Sequence, residues 1–218
     1  MEVKQPELQI ARSYTPLPPT KPEESVDLRL LIRKEPKGEV SGYLHHLPVG
    51  AKIELRGPHS GYEIPDDIQE VVFLAGGTGI APALQVAYNL LERRNSENKV
   101  MVRIVWANRK REDCQQQKGL IVQELEGLRQ RHPDRLSVEY LVDEEKTFLD
   151  QKKILRVTSE APKNDGKIRP KLLLISGPEG FINYYAGPKK WEGGKEGQGQ
   201  VAGVLGRMRL EGWTVWKL

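Results

Sequence analysis

The pattern of apolar and polar positions changes near residue 65. Before that point, residues 26–33 and 51–56 alternate apolar and polar side chains, which is typical of half-buried antiparallel strands. Between these two stretches, residues 38–50 predict one short helix that ends at a proline and a glycine. We therefore expect residues 1–65 to form an all-β domain with a single helix.

After residue 65 the pattern indicates a parallel sheet. Continuous apolar runs of strand length alternate with segments whose apolar residues recur every three or four positions. The runs predict strands at 71–75, 100–106, 136–142 and 171–176, and the periodic segments predict helices at 81–94, 117–131 and 178–187. This alternation is typical of βαβ units, so we expect an α/β domain over residues 66–218.

Two segments fit no regular element. Residues 146–170 combine a short helical pattern with a polar stretch, and residues 188–200 are rich in glycine and lysine. We expect both to be surface loops that connect elements or bind a partner.

Composition narrows the class of protein. Apolar residues make up 38% and charged residues 29% of the 218 positions, as in water-soluble globular proteins. No apolar run approaches the roughly 20 residues of a membrane span. The net charge of +4 is scattered rather than clustered, so we expect no nucleic-acid ligand. The single cysteine, Cys114, excludes an internal disulfide, and we expect no metal site.

A glycine turn follows the predicted strand at 71–75. Gly76, Gly77 and Gly79 lack a Cβ, so the backbone can turn sharply and a ligand can approach its amides. Thr78 adds a hydroxyl, and the positive N-terminal end of the next helix favours an anion. The arrangement is typical of phosphate binding, although packing alone also produces such turns.

Three further segments carry groups that suit a bound cofactor. Arg12, Tyr14 and Thr15 offer a guanidinium for a pyrophosphate, a ring for stacking and a hydroxyl for a ring nitrogen. Residues 38–41 open the short helix with free amides, and residues 176–178 join a strand to a helix. Each segment also has a purely structural interpretation: a strand exit, a helix cap by the serine, and a plain β-to-α turn.

Five short motifs follow one another in an order that resembles the ferredoxin-reductase-type flavoproteins: R-x-Y-T-P, G-x-x-S, R-G-P, G-G-T-G-I-A-P and S-G-P. The resemblance spans residues 10–187 and is greatest to NADH-cytochrome b5 reductases and fungal mitochondrial cytochrome c import factors. It implies a truncated FAD-binding β-barrel over residues 1–65, followed by a Rossmann-like NAD(P)H-binding domain over residues 66–218.

The resemblance also implies roles for the motif residues. FAD would be bound by Arg12, Ser13, Tyr14, Thr15, Gly38, Glu39, Val40 and Ser41, and NADH or NADPH by Gly76, Gly77, Thr78, Gly79, Pro82, Asp143, Ser176, Gly177 and Pro178. The implied catalytic residues are Thr15, near the flavin N5, and Ser176, in the nicotinamide pocket. Hydride would pass from nicotinamide C4 to flavin N5. Electrons would then reach a haem protein such as cytochrome c, its haem-attaching enzyme or a cytochrome b5-like acceptor.

Coenzyme preference depends on two charged clusters. Asp143 follows the third predicted strand of the α/β domain and resembles the acid that NADH-preferring relatives place near the adenine ribose. A carboxylate accepts hydrogen bonds from the 2′-hydroxyl and repels a 2′-phosphate. Arg109, Lys110 and Arg111 could instead attract that phosphate. We expect NADH to be favoured.

The chain departs from the family at its front and in its nicotinamide pocket. Only 11 residues precede Arg12, where the family has several further barrel strands, so we expect open sheet edges. The b5 reductases have a cysteine where this chain has Ser176, so hydride transfer is expected to be slower. A final strand is predicted around Trp213, with Trp216 either in the core or shielding a flavin face.

The resemblance implies a mitochondrial location, in the inner membrane or intermembrane space, although the chain shows no targeting segment. Two functions remain open: an FAD-dependent reductase, and a non-catalytic assembly factor that keeps the fold as a scaffold for cytochrome c biogenesis. The truncated barrel and Ser176 favour the factor. The intact motifs at 12–15 and 76–82 favour the reductase, which is our prediction.

Overall fold

The computed structural model describes residues 1–19, 27–59, 61–94, 100–115, 120–159, 170–208 and 210–218. These residues divide into two compact units, an N-terminal unit, Met1–Gly61, and a C-terminal unit, Tyr62–Leu218. The change of sequence pattern near residue 65 lies a few positions after this division. Each unit has its own sheet.

The sheet of the N-terminal unit is antiparallel and has the order β2-β1-β3. Its strands are β1 (Glu2–Gln5), β2 (Ile10–Ser13) and β3 (Glu54–Arg56), and its helix is α1 (Glu39–His46). Helix α1 packs against β1 and β2. The predicted helix is therefore confirmed, and of the strand predicted at 51–56 the last three residues form β3.

The strand predicted at 26–33 is wrong in the part that the structure describes. Residue 26 lies outside the described residues, and 27–35 contribute only an isolated antiparallel bridge between Pro16 and Leu30. The Leu17 amide donates to the Arg29 carbonyl at 2.9 Å. The segment opposite carries three prolines, which have no N–H to donate, so the ladder cannot extend.

The C-terminal unit contains a parallel sheet in the order β10-β7-β4-β5-β6. The strands are β4 (Glu70–Gly76), β5 (Met101–Asn108), β6 (Leu136–Val142), β7 (Lys171–Ser176) and β10 (Trp213–Lys217). A hairpin of β8 (Lys190–Glu192) and β9 (Lys195–Gly197) stands apart from this sheet. Counted within the unit, the parallel order is 3-2-1-4-5, which is Rossmann-like. The predicted combination of an antiparallel sheet and an α/β domain is confirmed.

Helices cover the parallel sheet. They are α2 (Ile80–Tyr88), which continues as a π-helical turn at Asn89–Arg93, α3 (Arg111–Gln115), α4 (Leu120–Arg131), α5 (Gln151–Ser159), α6 (Glu179–Ala186) and α7 (Gly203–Gly206). The helices predicted at 81–94 and 178–187 are confirmed, as is the described part of the helix predicted at 117–131. Residues 116–119 and 160–169 lie outside the description. None of the described helices is both long and apolar enough to cross a membrane.

The two segments expected to be loops contain regular structure. Helix α5 occupies part of 146–170, and the hairpin occupies part of 188–200. The hairpin is anchored by Lys217, whose side chain is 1% exposed. Its Nζ donates to the carbonyls of Pro188 at 2.9 Å and Gln200 at 3.0 Å, and burial lowers its pKa. The two carbonyls flank the hairpin, so the C-terminal strand fixes its base.

The two tryptophans of β10 have different neighbours. Trp213 packs against the hydrophobic cluster between the sheet and helices α5, α6 and α7. The Trp216 ring instead lies 4.7 Å from the ring of Tyr62, centroid to centroid. The predicted final strand is confirmed, with Trp213 on the core side.

Candidate functional site

The order of the parallel strands reverses between β4 and β7, the position at which open α/β sheets have a ligand crevice. The chain leaves β4 for β5 on one side and later returns to β7 on the other, so the connections diverge at this point. Ligands of open α/β sheets bind at the carboxyl ends of strands at such a switch point. The glycine turn follows β4 there, and residues 176–178 lie beside it, because Ala75 and Ser176 are register partners. The structure thus brings these two predicted segments together.

Close packing explains two of the predicted glycines. A Cβ on Gly79 would lie 2.2 Å from the Ser176 carbonyl oxygen, and one on Gly76 would lie 2.8 Å from the Phe181 ring. Gly77 has a φ of 53°, in the left-handed region that favours glycine. Because these glycines have no side chain, the two loops can pack directly against each other. From the sequence, a glycine required for this packing cannot be distinguished from one required for the approach of a ligand.

The glycine turn, a 3₁₀ turn at Gly77–Gly79, leads directly into α2. The Ile80 amide bonds to the carbonyls of Gly77 and Thr78, so the turn and the helix are continuous. Thr78 is half-buried, and Pro82 lies in the first helical turn, where the missing N–H costs no helical hydrogen bond. The predicted residues from Gly76 to Pro82 therefore form a helix N-terminus that can hold an anion.

Sequence reasoning missed the tryptophan that supports this turn. Trp106 is 1% exposed, and its Nε1 donates to the Gly77 carbonyl at 2.8 Å. Its ring lies 5.7 Å from that of Tyr140, whose hydroxyl donates to Glu126 at 2.8 Å. Burial and the neighbouring Glu126 raise the pKa of Tyr140, which keeps the phenol protonated. In the sequence, Trp106 reads only as an apolar residue of a buried strand.

The other side of the crevice is formed by the end of β7. Ser176 is 9% exposed, and its carbonyl packs against Gly79. The Pro178 carbonyl accepts hydrogen bonds from the amides of Phe181 at 2.8 Å and Ile182 at 3.1 Å, which starts α6. Ser176 and Gly177 therefore lie beside the glycine turn.

The two charged clusters proposed to set coenzyme preference lie side by side at the carboxyl edge of β5 and β6. Asp143 begins a 3₁₀ turn at Asp143–Glu145 and is exposed. The Glu144 amide donates to the Arg109 carbonyl at 3.1 Å, which joins this turn to the segment after β5. The Arg111 guanidinium makes a two-pronged ion pair with Glu145. Its charge is thus already compensated by a carboxylate.

The predicted flavin residues lie around β2 and α1 in the N-terminal unit. Arg12 pairs in register with Val3 and is exposed, as is Ser13. The Tyr14 amide donates to the Met1 carbonyl at 2.8 Å, and burial raises the pKa of Tyr14. Thr15 is half-buried. Because α1 packs against β2, its first turn belongs to the same small unit as Arg12.

The helix cap predicted for Ser41 is wrong. The cap residue of α1 is Gly38, and Ser41 lies inside the first turn. Its hydroxyl accepts from the Glu35 amide at 3.1 Å and donates to the Gly38 carbonyl at 3.1 Å. A hydroxyl occupied in this way leaves the main-chain amides of Glu39, Val40 and Ser41 as the groups that this helix can offer to an anion.

Two other reactive groups, Cys114 and His59, have partners within the fold. Burial raises the pKa of the Cys114 thiol even though Arg111 is near, so the thiol form is favoured. The His59 Nε2 lies 3.2 Å from the Glu2 carboxylate. Within the described ranges, no cluster of three or more His, Cys, Asp or Glu side chains could hold a metal ion.

Comparison with protein families gives two matches. Residues 73–187 match the oxidoreductase NAD-binding domain, and residues 1–64 match the oxidoreductase FAD-binding domain. The first match covers more than half of the chain and includes both loops of the crevice. The second contains all the residues predicted to bind flavin.

Curated relatives and solved structures agree with these matches. NADH-cytochrome b5 reductase 2 of Phaeosphaeria nodorum is 28% identical over 98% of this chain and 62% of its own length. The enzyme of the same name from Meyerozyma guilliermondii is 28% identical over 95% of this chain and 67% of its own length. The chain thus spans about two thirds of the length of these relatives.

Two solved structures show the same fold. The CS-b5R domains of human Ncb5or, in the NAD⁺ form, give a TM-score of 0.62 at 20% identity, over 84% of this chain and 53% of that one. A mutant ferredoxin-NADP⁺ reductase from Plasmodium falciparum, in complex with 2′P-AMP, gives 0.59 at 19% identity, over 79% of this chain and 71% of that one.

Proposed function

Because the chain belongs to the oxidoreductase NAD-binding domain family, we propose that it is a reductase that passes electrons from NADH through FAD to a haem protein. The observation that carries the proposal is the contact between the glycine turn and Ser176 at the strand switch point. Bound FAD would supply the chemistry, since a flavin accepts a hydride and releases single electrons.

The residues of this chain would bind and orient the two nucleotides. The amides of the glycine turn suit the NADH diphosphate, because this turn is the positive end of the helix that continues as α2. Ser176 and Gly177 would hold the nicotinamide on the other side of the crevice. In the N-terminal unit, the exposed Arg12 and the first-turn amides of α1 suit the FAD diphosphate.

The charges near Asp143 support NADH as the preferred coenzyme. A 2′-phosphate at this edge would meet the Asp143 carboxylate, and Arg111 is already paired with Glu145. Arg109 and Lys110 are exposed, where solvent screens their attraction for a phosphate. The free 2′-hydroxyl of NADH meets no such repulsion.

The curated relatives are named as reductases of cytochrome b5, which supports a cytochrome b5-like haem protein as the acceptor. A narrower role in mitochondrial cytochrome c haem attachment, at the inner membrane or in the intermembrane space, is supported by the resemblance of the motifs. The rival proposal, a non-catalytic assembly factor, is favoured by Ser176 in place of the reductase cysteine. The two differ in whether bound flavin is reduced.

The test is anaerobic titration of the FAD-reconstituted protein with NADH. We expect the visible flavin absorbance to bleach, and to return when cytochrome b5 or cytochrome c is added.

Arg12→Ala should weaken FAD binding by at least about tenfold, because a charged hydrogen bond contributes about 1.5–3 kcal/mol. Lys52→Ala, which removes another exposed cation of the same unit, should leave FAD binding unchanged. A protein that binds no FAD, or whose flavin stays oxidised, would refute the reductase.

A further inference from the structure

Asn108 is a buried amide with no hydrogen-bond partner. It ends β5 and is 5% exposed. Neither its side-chain oxygen nor its side-chain nitrogen meets a partner in the described structure. A buried carboxamide in this state is costly, since it lost water on folding and gained nothing in exchange. Such a group needs an explanation, and none of the contacts within the fold provides one.

The position of Asn108 connects it to the nucleotide crevice. Side chains alternate along a strand, so Asn108 and Trp106 lie on the same face of β5. Trp106 bonds to the Gly77 carbonyl, and the glycine turn contacts β5. On the other side, Asn108 pairs in register with Val142, the residue before Asp143. The amide therefore lies between the glycine turn and Asp143 at the carboxyl edge of the sheet.

The strand order assigns this position to one half of a dinucleotide. Ser176 is the last residue of β7, on one side of β4, and Asn108 is the last residue of β5, on the other side, with about 4.8 Å between neighbouring strands. A diphosphate held at the end of β4 with its nicotinamide at β7 would extend its adenosine over β5 and β6. Asn108 would then be the first side chain that the adenosine meets.

We propose that Asn108 binds the adenosine half of NADH, with its carboxamide as both donor and acceptor. The inference rests on the proposed function for the orientation of the dinucleotide. The ribose hydroxyls and the adenine edge each combine a donor with an acceptor, which is what a carboxamide matches. The unpaired Asn108 carboxamide thus lowers the stability of the free protein and is available to hydrogen-bond a ligand.

This arrangement predicts opposite effects on stability and binding. In Asn108→Leu, a side chain of similar size removes the unpaired polar group, so the melting temperature without ligand should stay equal or rise. The same variant should bind ADP-ribose at least tenfold more weakly by calorimetry. Reduced nicotinamide mononucleotide lacks the adenosine and should reduce the flavin of both proteins equally well. Asn89→Leu, at an exposed asparagine of the same unit, should leave ADP-ribose binding unchanged.

The outcomes separate the two proposals. ADP-ribose binding does not require flavin reduction, so it tests Asn108 even if the reductase activity fails. An unchanged ADP-ribose affinity in Asn108→Leu would overturn the inference. If the melting temperature also fell, the result would assign Asn108 to the stability of the fold.

Deamino-NADH changes the adenine edge alone. A loss of discrimination against it in the variant would assign the contact to the base, and retained discrimination would assign it to the ribose.

Discussion

At the scale of single residues, the proposed preference for NADH rests on how Arg111 is paired. A guanidinium is the side chain best suited to a phosphate, because its fork matches two oxygens. Here that fork is directed at Glu145, and the carboxylate of Asp143 lies on the same short turn. A 2′-phosphate would have to displace one carboxylate from Arg111 and approach another. Both effects oppose NADPH.

Asp143→Ser should therefore shift preference toward NADPH. Removal of one negative charge beside the ribose should raise the ratio of kcat/KM for NADPH to that for NADH by about tenfold, or about 1.4 kcal/mol. The double variant Asp143→Ser/Glu145→Gln should raise it further, because it also frees Arg111. Steady-state kinetics with both coenzymes measure the ratio. Asp134→Ser removes an exposed aspartate just before β6, at the opposite end of that strand, and should have no effect. Equal ratios in all variants would place the specificity elsewhere.

At the scale of elements, local patterns predicted what local interactions determine. The strands β4, β5 and β7 are mostly apolar and buried, and β6 is a half-buried edge strand; each was found close to its predicted position. The strand predicted at 26–33 failed because pairing depends on the donors of the opposite segment, which there is rich in proline. The β8–β9 hairpin was missed because its three-residue strands are held by Lys217, near the distant C-terminus.

Lys217→Met should loosen this hairpin. The substitution leaves the carbonyls of Pro188 and Gln200 without their buried donor, so we expect the free energy of unfolding to fall by about 1–3 kcal/mol. Urea denaturation measures the loss, and amide exchange should become faster across 190–197. Lys190→Met removes an exposed lysine of the hairpin itself and should change stability by less than about 0.5 kcal/mol. Equal losses in the two variants would show that the buried ammonium does not anchor the hairpin.

At the scale of the whole molecule, motif order predicted the segments proposed to bind nucleotides but not the residues that support those segments. The glycine turn and residues 176–178 were predicted separately, and the strand order brings them together. Trp106 and Asn108 were missed because their roles depend on which strand lies next to β5, and strand order cannot be derived from periodicity. The flavin-binding residues predicted in Met1–Gly61 rest on their motifs, since few buried apolar side chains define that unit.

The two units differ greatly in their cores, so we expect them to unfold separately. Among the described residues of the N-terminal unit, the buried aliphatic side chains are Val3 and Val40. The C-terminal unit has a much larger core, formed around the central strands of its parallel sheet. A domain of about 60 residues is marginally stable by itself. A bound FAD at 100 times its dissociation constant would add about 2.7 kcal/mol to the unit that holds it.

The four tryptophans make this difference measurable, because all of them lie after residue 61. Without FAD, circular dichroism should lose part of its signal on heating before tryptophan fluorescence changes. FAD should raise the first transition by about 10 °C or more, because each kcal/mol shifts a domain of this size by about 4–8 °C. ADP-ribose should raise only the second transition, since its proposed site lies entirely in the C-terminal unit. If both probes report one transition that either ligand shifts equally, the units unfold together and the small core of the first does not limit its stability.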